Sequence, residues 1–481
     1  FIQGIDITAE LAAQETASGV AGIRGDPLVK DALLKGEVAP FLPFILSGTT
    51  KGLRNRVGGW WGGDTDWSLA GSLAYADVDN TVKAEVGDTA VLKAGMDVNV
   101  TAKITDRVQT VAETVISQQE PDPGSEDLDK AVSTAVIAGS YNNTARAIIS
   151  GNAEVDAGRR LDVDAGITYP FLTEPGLSLL PFTKEDFESP TKLGTVLDQK
   201  LGLQSLLFNS WARSVATGGD LGISGAVDYM SFTNTAEAVI GKNALINQDS
   251  DYRTEDQSVS VNAATQMNLI DMSGVFDLNL QVSTLTNMKA WNHPFADWVD
   301  MGATGKAGAG GSVLLMFLDN TTTARIEDGA SVFTGAQGGL SVDARTDVTS
   351  IALAQSGSKA KTFGVAGTFS YIDHNDETLA FIDSGAKISG SEVNISATDD
   401  TLLFNVSGGV IKGENMGVGA SVAINSIERD TRALIGHASF DPSACLTGGN
   451  IIDLGYKHGY ETGDAVVYLN GGGASISGLE N

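Results

Sequence analysis

The sequence predicts an all-β fold in which repeated strands stack into a solenoid. Two recurring patterns and one compositional bias predict it. The first pattern is Asn or Asp followed by Thr, then Ala, one residue, and Ile or Val, read at Asn80–Val86, Asn143–Ile149, Asn234–Ile240 and Asn320–Ile326 and in looser form at Asn375–Ile382 and Asp430–Ile435. The second is an alternating triplet: Val98/Val100/Ala102, Leu161/Val163/Ala165, Val259/Val261/Ala263, Leu340/Val342/Ala344 and Val393/Ile395/Ala397. Period-two alternation places the apolar members on one face of a strand and the Asn, Asp, Ser and Thr between them on the other. The bias is 57 glycines in 481 residues with only 7% aromatic and 19% charged residues, the composition of short strands and tight turns.

In chain order, residues 1–65 form an irregular segment expected to pack on or cap the array. Asp26–Leu34 reads as a short helix with Asp as cap and Pro27 at its first position. Pro40 and Pro43 then break an apolar run, and the glycine-framed pair Trp60 and Trp61 is expected to pack on the core, with a carbohydrate platform as the alternative. The repeat array follows over residues 66–436. A glycine-led strand precedes the Asn-Thr-Ala run at Gly71, Gly225, Gly311, Gly367 and Gly419, whereas Gly139 stands only four residues before Asn143, which predicts a shortened or rearranged strand there.

The repeat alanines Ala84, Ala147, Ala238, Ala324, Ala380 and Ala433 stand 63, 91, 86, 56 and 53 residues apart, so the unit is the shorter step and the long steps carry inserts. These lie near 118–130 (acidic, two prolines), 169–219 and 288–308; the second holds an amphipathic helix candidate over Lys192–Arg213. A further acidic insert spans Asp249–Asp256. One unit is too short to bury its own core, and stacking solves this. The preferred division is three coils of roughly 18 residues per unit, with two wider coils as the alternative. Alanines face inward where space is least, and Asn80, Asn143, Asn234 and Asn320 are assigned to turns, where an amide bonds the backbone and tolerates left-handed φ. Residues 437–481 read as the start of a further small β module.

Composition also excludes. A formal charge of −29 argues against a nucleic-acid partner, which needs clustered Lys and Arg. The single Cys445 permits no intrachain disulfide and no Cys-based metal site. No apolar run reaches the ~18 residues of a spanning helix. No basic, apolar leader precedes Phe1, so the chain reads as an excerpt of a longer one. His293, His374, His437 and His458 lie in unlike contexts without zinc or triad spacing. Neither a phosphate-binding loop nor paired catalytic carboxylates occur, so no catalytic residue is assigned and the chain is read as a non-enzyme. Acidic clusters at Asp64/Asp66, Asp122/Glu126/Asp127/Asp129, Asp249/Asp251/Asp256 and Asp373/Asp376 offer oxygen donors suited to Ca²⁺, against a plainer reading as solvated loops. No other cofactor is expected.

Together, the glycine-led strand, the Asn-Thr-x-Ala-x-Ile run and the Val-x-Val-x-Ala triplet resemble the β-helical repeats of filamentous-haemagglutinin-like bacterial surface exoproteins, over about Asp66 to Ile435. The stretch His458–Tyr468 looks like a module that interrupts or follows such arrays. The resemblance implies a right-handed parallel β-helix, secretion to the cell surface, and a role in attachment or in a surface filament or stalk. Implied partners are other copies or segments of the same surface protein, and surface glycans or another cell. An adhesive segment should expose an aromatic patch, and Trp291, His293, Phe295 and Trp298 are the candidates for it. The rival class is a polysaccharide lyase or hydrolase on a β-helix.

Overall fold

A computed structural model describes residues 4–23, 67–116, 130–171, 208–275, 302–437, 446–447 and 451–452. These residues are almost wholly β-strand, with one 3-10 turn at Ser250–Tyr252 and no α-helix among them. The sheets that carry the repeats are parallel throughout.

Each repeat lays down one layer. In the first, β2 (Trp67–Val86) runs outward for 20 residues, a short β3 (Val91–Ala94) turns the corner, and β4 (Asp97–Ile116) folds back for another 20. The return is visible in side-chain bonds across the interior: Thr114 near the end of β4 donates to Ser72 near the start of β2, at 2.7 Å. The second layer comprises β5 (Lys130–Ile149), β6 (Glu154–Ala157) and a return arm in two pieces, β7 (Arg160–Tyr169) and β8 (Ser210–Thr217). The third comprises β9 (Leu221–Ile240), β10 (Leu245–Ile246) and β11 (Ser258–Gly274). The fourth begins with β12 (Ala303–Ile326) and β13 (Ser331–Phe333) and returns as the first half of β14 (Leu340–Asp383). The second half of β14 goes outward again, followed by β15 (Lys387–Ser389), β16 (Val393–Gly413) and the next outward arm, β17 (Met416–His437).

The register between layers follows the repeat. Ala84 pairs with Ala147, Ala147 with Ala238, Ala238 with Ala324, Ala324 with Ala380 and Ala380 with Ala433. Val98, Leu161, Val259, Leu340 and Val393 form the matching column on the return arms. One repeat is therefore one layer of two long arms and a short corner strand. The division into three coils of about 18 residues is corrected accordingly: the backbone stays extended through whole 20-residue arms because alternation is unbroken along them. The array also begins earlier than residue 66, since β1 (Ile5–Ile23) pairs with β4 along its whole length and supplies its own triplet, Ile5/Ile7/Ala9.

The core lies between the outward and return arms. Ala147, Ala238, Ala324 and Ala380 are fully enclosed there, and the Val, Leu and Ile of the triplets fill the space beside them. Burying each large aliphatic side chain contributes about 1.5–3 kcal/mol. The asparagines assigned to turns sit instead in strands, and three of the four lie inside this core: Asn143, Asn234 and Asn320 are at most 1% exposed, while Asn80 is half-buried. They form a ladder along the stack, Asn80 Nδ2 donating to Asn143 Oδ1 at 2.9 Å and Asn234 Nδ2 to Asn320 Oδ1 at 2.8 Å. Tyr169 of the second return arm joins the two pairs, accepting from Asn143 and donating to Asn234 Oδ1. Asn320 donates in turn to Asp376, which stands in its column where Asn375 was expected.

Left-handed backbone occurs at other residues, in the corner after the outward arm. Thr89, Asn152, Asn243 and Gly329 all have positive φ, and the residue after each donates its N–H three positions back, as Ala153 does to Ser150. A Cβ on Gly329 would meet the Asn243 side chain of the layer below, so this corner needs glycine for space as well as for φ.

Three other expectations change. β5 is a full 20-residue strand, because Thr134 takes the lead-in glycine's place and Gly139 points inward against Met230 and Tyr141. The end of the helix candidate is strand, since Ser210–Arg213 belong to β8 and pair with β4; 192–207 lie outside the described residues. Gly419 pairs with Ala366, and Ala420 occupies the glycine column. Of residues 437–481 only the antiparallel pair β18 (Leu446–Thr447) and β19 (Ile451–Ile452) is described beyond His437.

Candidate functional site

Outward-facing side chains of the return arms line the site. Four strands lie side by side there, β4, β7, β11 and the first half of β14, and the register sets Lys103, Gly166, Ala264 and Arg345 in one row across them. The two central members have little or no side chain, so the row is a shallow trough walled by a lysine at one end and an arginine at the other. Three strand spacings separate these walls, roughly 14 Å. The neighbouring row contributes Thr105, Thr168, Gln266 and Asp347, and the row on the other side contributes Asp164 and Asn262. The resulting groove has a volume of about 440 Å³ and opens to solvent.

Its groups are held in place by local bonds. Arg345 Nε donates to Asp347 Oδ2 at 2.6 Å, two residues along the same strand, and this pair favours the charged guanidinium. Asn262 Nδ2 donates to Asp164 Oδ1 at 2.7 Å across the strand pair and to Ser260. The floor therefore presents carboxylate and amide acceptors, hydroxyls and N–H donors in alternation on a nearly flat surface. That mixture suits a ligand rich in hydroxyl groups and sets two positive against two negative charges.

The residues proposed from sequence fare differently. Trp291, His293, Phe295 and Trp298 lie outside the described residues, as do His458, Trp60 and Trp61. His374 is wholly buried, with Nε2 2.8 Å from Asp376 Oδ2, and serves the interior. Of the acidic clusters, Asp373 and Asp376 stand on opposite faces of β14, which separates them as ligands. Asp249 caps the 3-10 turn and takes Lys93 Nζ at 2.6 Å, pinning the acidic insert onto the corner strands. The other two clusters lie outside the described residues, and among those described no three His, Cys, Asp or Glu side chains converge on a metal position. No helix among the described residues is long and apolar enough to cross a membrane.

Sequence reasoning missed the groove because its members are single polar residues on alternating positions, the pattern of any solvated strand face. The small pair Gly166 and Ala264 between two cations was the available signal, and it is legible only once the triplets are aligned. No known protein-family model, curated protein or solved structure matches the chain.

Proposed function

We propose that this chain is an extracellular structural and adhesive segment of a large repetitive bacterial surface protein, a right-handed parallel β-helical rod that offers a saccharide-binding groove on its return-arm face. The observation that carries the reading is the unbroken register of the repeat alanines through six layers, the arrangement of a rod whose length is set by repeat number. Right-handedness follows from the strong preference of crossovers between parallel strands of one sheet. The sequence resemblance to filamentous-haemagglutinin-like exoproteins supplies the surface location, and the acidic, single-cysteine composition agrees with it.

A hydroxyl-rich ligand is favoured because the groove mixes donors and acceptors on a flat floor and lacks a net charge. Screening the chain on a glycan array, then titrating the best oligosaccharide calorimetrically, tests this. Gly166→Leu, which fills the trough, is expected to weaken binding at least ~10-fold, the order that loss of a well-fitted contact produces. Absence of any saccharide binding, or binding indifferent to Gly166→Leu and Arg345→Ala, leaves the adhesive part of the proposal without support. One feature favours a rival: Lys103, Arg345 and Asp164 line the same groove and are also ingredients of a polysaccharide-cleaving site. New unsaturated or reducing ends from an acidic polysaccharide would move the reading to that class.

A further inference from the structure

The outer face of the outward arms is divided lengthwise. From Asp77 on, its rows carry charges and are acidic on balance, with Lys83, Arg146, Arg325 and Arg432 among the acids and Phe317 in the first of these rows, whereas the four outward positions from Leu69 to Tyr75, repeated across β2, β5, β9, β12, the second half of β14 and β17, contain no charged residue. This half is open to solvent: Tyr75 is 59% exposed, Val418 53% and Leu73 44%. Six strands at ~4.8 Å and seven residues at ~3.3 Å give a footprint of roughly 670 Å². That is more than the largest apolar patch of a typical monomer.

Relief within the patch is specific. Gly71, Gly225, Gly311 and Gly367 fall in one row, completed by Thr134 and Ala420, so a trough runs along the stack between two apolar ridges. A Cβ on Gly71 would press on Thr134 Cγ2 at 3.3 Å, but at the other three positions nothing within the chain requires glycine. A Cβ on Gly225 would meet no atom within 4 Å, those on Gly311 and Gly367 would find only a carbonyl oxygen at 4.0 Å, and none of the four has left-handed φ. Glycine weakens a strand interior and often marks close approach by another backbone or a ligand. The ridge beside the trough carries Leu73, Val227, Val313 and Phe369, and the next row carries Tyr75, Tyr229 and Tyr371.

We propose that this face pairs with the same face of a second copy, ridge into trough, forming a two-fold sheet-on-sheet dimer. The area fits, since two footprints make roughly 1,300 Å², within the range of stable interfaces. Self-pairing fits the chemistry better than a charged partner or an anionic membrane, because the patch is neutral on a chain of formal charge −29. A two-fold axis parallel to the stack reverses the strands of the partner and places the two acidic halves on opposite sides, away from each other. Sheets packed in this way stand about 10 Å apart, close enough for a Val or Leu ridge to enter a glycine row. The inference adds to the proposed function without depending on it: paired rods present two grooves and gain avidity.

Sedimentation equilibrium of the full chain tests this. A concentration-dependent dimer is expected, strengthened by raising NaCl because screening weakens repulsion between two acidic copies. Val227→Asp should weaken it at least ~100-fold by burying a charge at the ridge. Gly311→Leu, which fills the trough, should weaken it at least ~10-fold with the monomer's melting and circular dichroism unchanged. Thr233→Asp, on the polar half of β9, should leave it intact. A chain that stays monomeric to about 0.5 mM at high salt overturns the proposal. So does a dimer that survives both Val227→Asp and Gly311→Leu, the result expected if copies joined end to end instead.

Discussion

Asn234 shows how much of this fold rests on single polar side chains. Its Oδ1 accepts from Tyr169 at 2.9 Å and its Nδ2 donates to Asn320 at 2.8 Å, inside a core where neither partner can turn to water. A buried polar group left unmatched costs more than the bond itself contributes, about 1–3 kcal/mol for each group. Asn234→Ala is therefore expected to lower stability by about 2–4 kcal/mol, read as a shift of the denaturation midpoint at constant slope. A loss below about 1 kcal/mol would show that the ladder relaxes around the gap. The same motif was visible in the sequence, yet its location was not. Asparagine suits both a left-handed turn and a stacked interior amide, and only the burial of its strand decides between them.

At the scale of elements, β8, β9 and β11 meet over a buried acid pair. Ser210 donates to Asp271 Oδ1 at 2.7 Å and also bonds Asp228, while Asp228 Oδ1 and Asp271 Oδ2 have no hydrogen-bond partner. Burial pushes the Asp271 carboxyl up to about 7, and burial together with the Asp271 charge holds Asp228 well above the usual range. In the unfolded chain both titrate near 3.9. The folded state thus binds more protons above about pH 4, so the stability from Asp271 is full below about pH 4 and is lost as pH rises through about 7, and that from Asp228 is lost in the same direction. Asp271→Asn should flatten that fall and raise stability at pH 8 by about 1–3 kcal/mol, because no charge then has to be buried. Thermal melts of both proteins from pH 4 to 8 check this; parallel curves would place the titration elsewhere. Only the first four residues of β8 fall within the helix that the sequence predicts over Lys192–Arg213, since Trp211, Ala212 and Arg213 suit either structure until the pairing with Val111, Ala112 and Glu113 is known.

For the whole molecule, stacking makes stability depend on neighbours. β9 and β12 have a paired strand on each side, whereas β16 and β17 end the described stack, and their Leu402, Val418 and Ile435 are 53–74% exposed. A one-dimensional array opens from its ends. Amide hydrogen exchange should therefore be slowest in β9 and β12 and fastest in β16 and β17, graded between them. Uniform protection across the layers would mean that the end strands are covered. The groove and the apolar trough belong to this scale too, because each is a row assembled from four or more layers, with no two members adjacent in sequence.

The sequence by itself determined the β class, the repeat, the column of alanines and the inward triplets, because these depend on period-two alternation and on small residues recurring at matched intervals. Ala84 to Ala433 and Val98 to Val393 pair in the alignment that their spacing implied. Tertiary structure alone decided that one repeat makes one layer, that Asn143 and Asn320 lie inside, and that Gly166 and Ala264 stand between Lys103 and Arg345. The physical reason is that alternation tells which residues share a face but not where an arm ends. Layer width is set by the corner turns at Thr89, Asn152, Asn243 and Gly329, short polar segments without a period, and the rows across strands exist only once those corners have fixed the register.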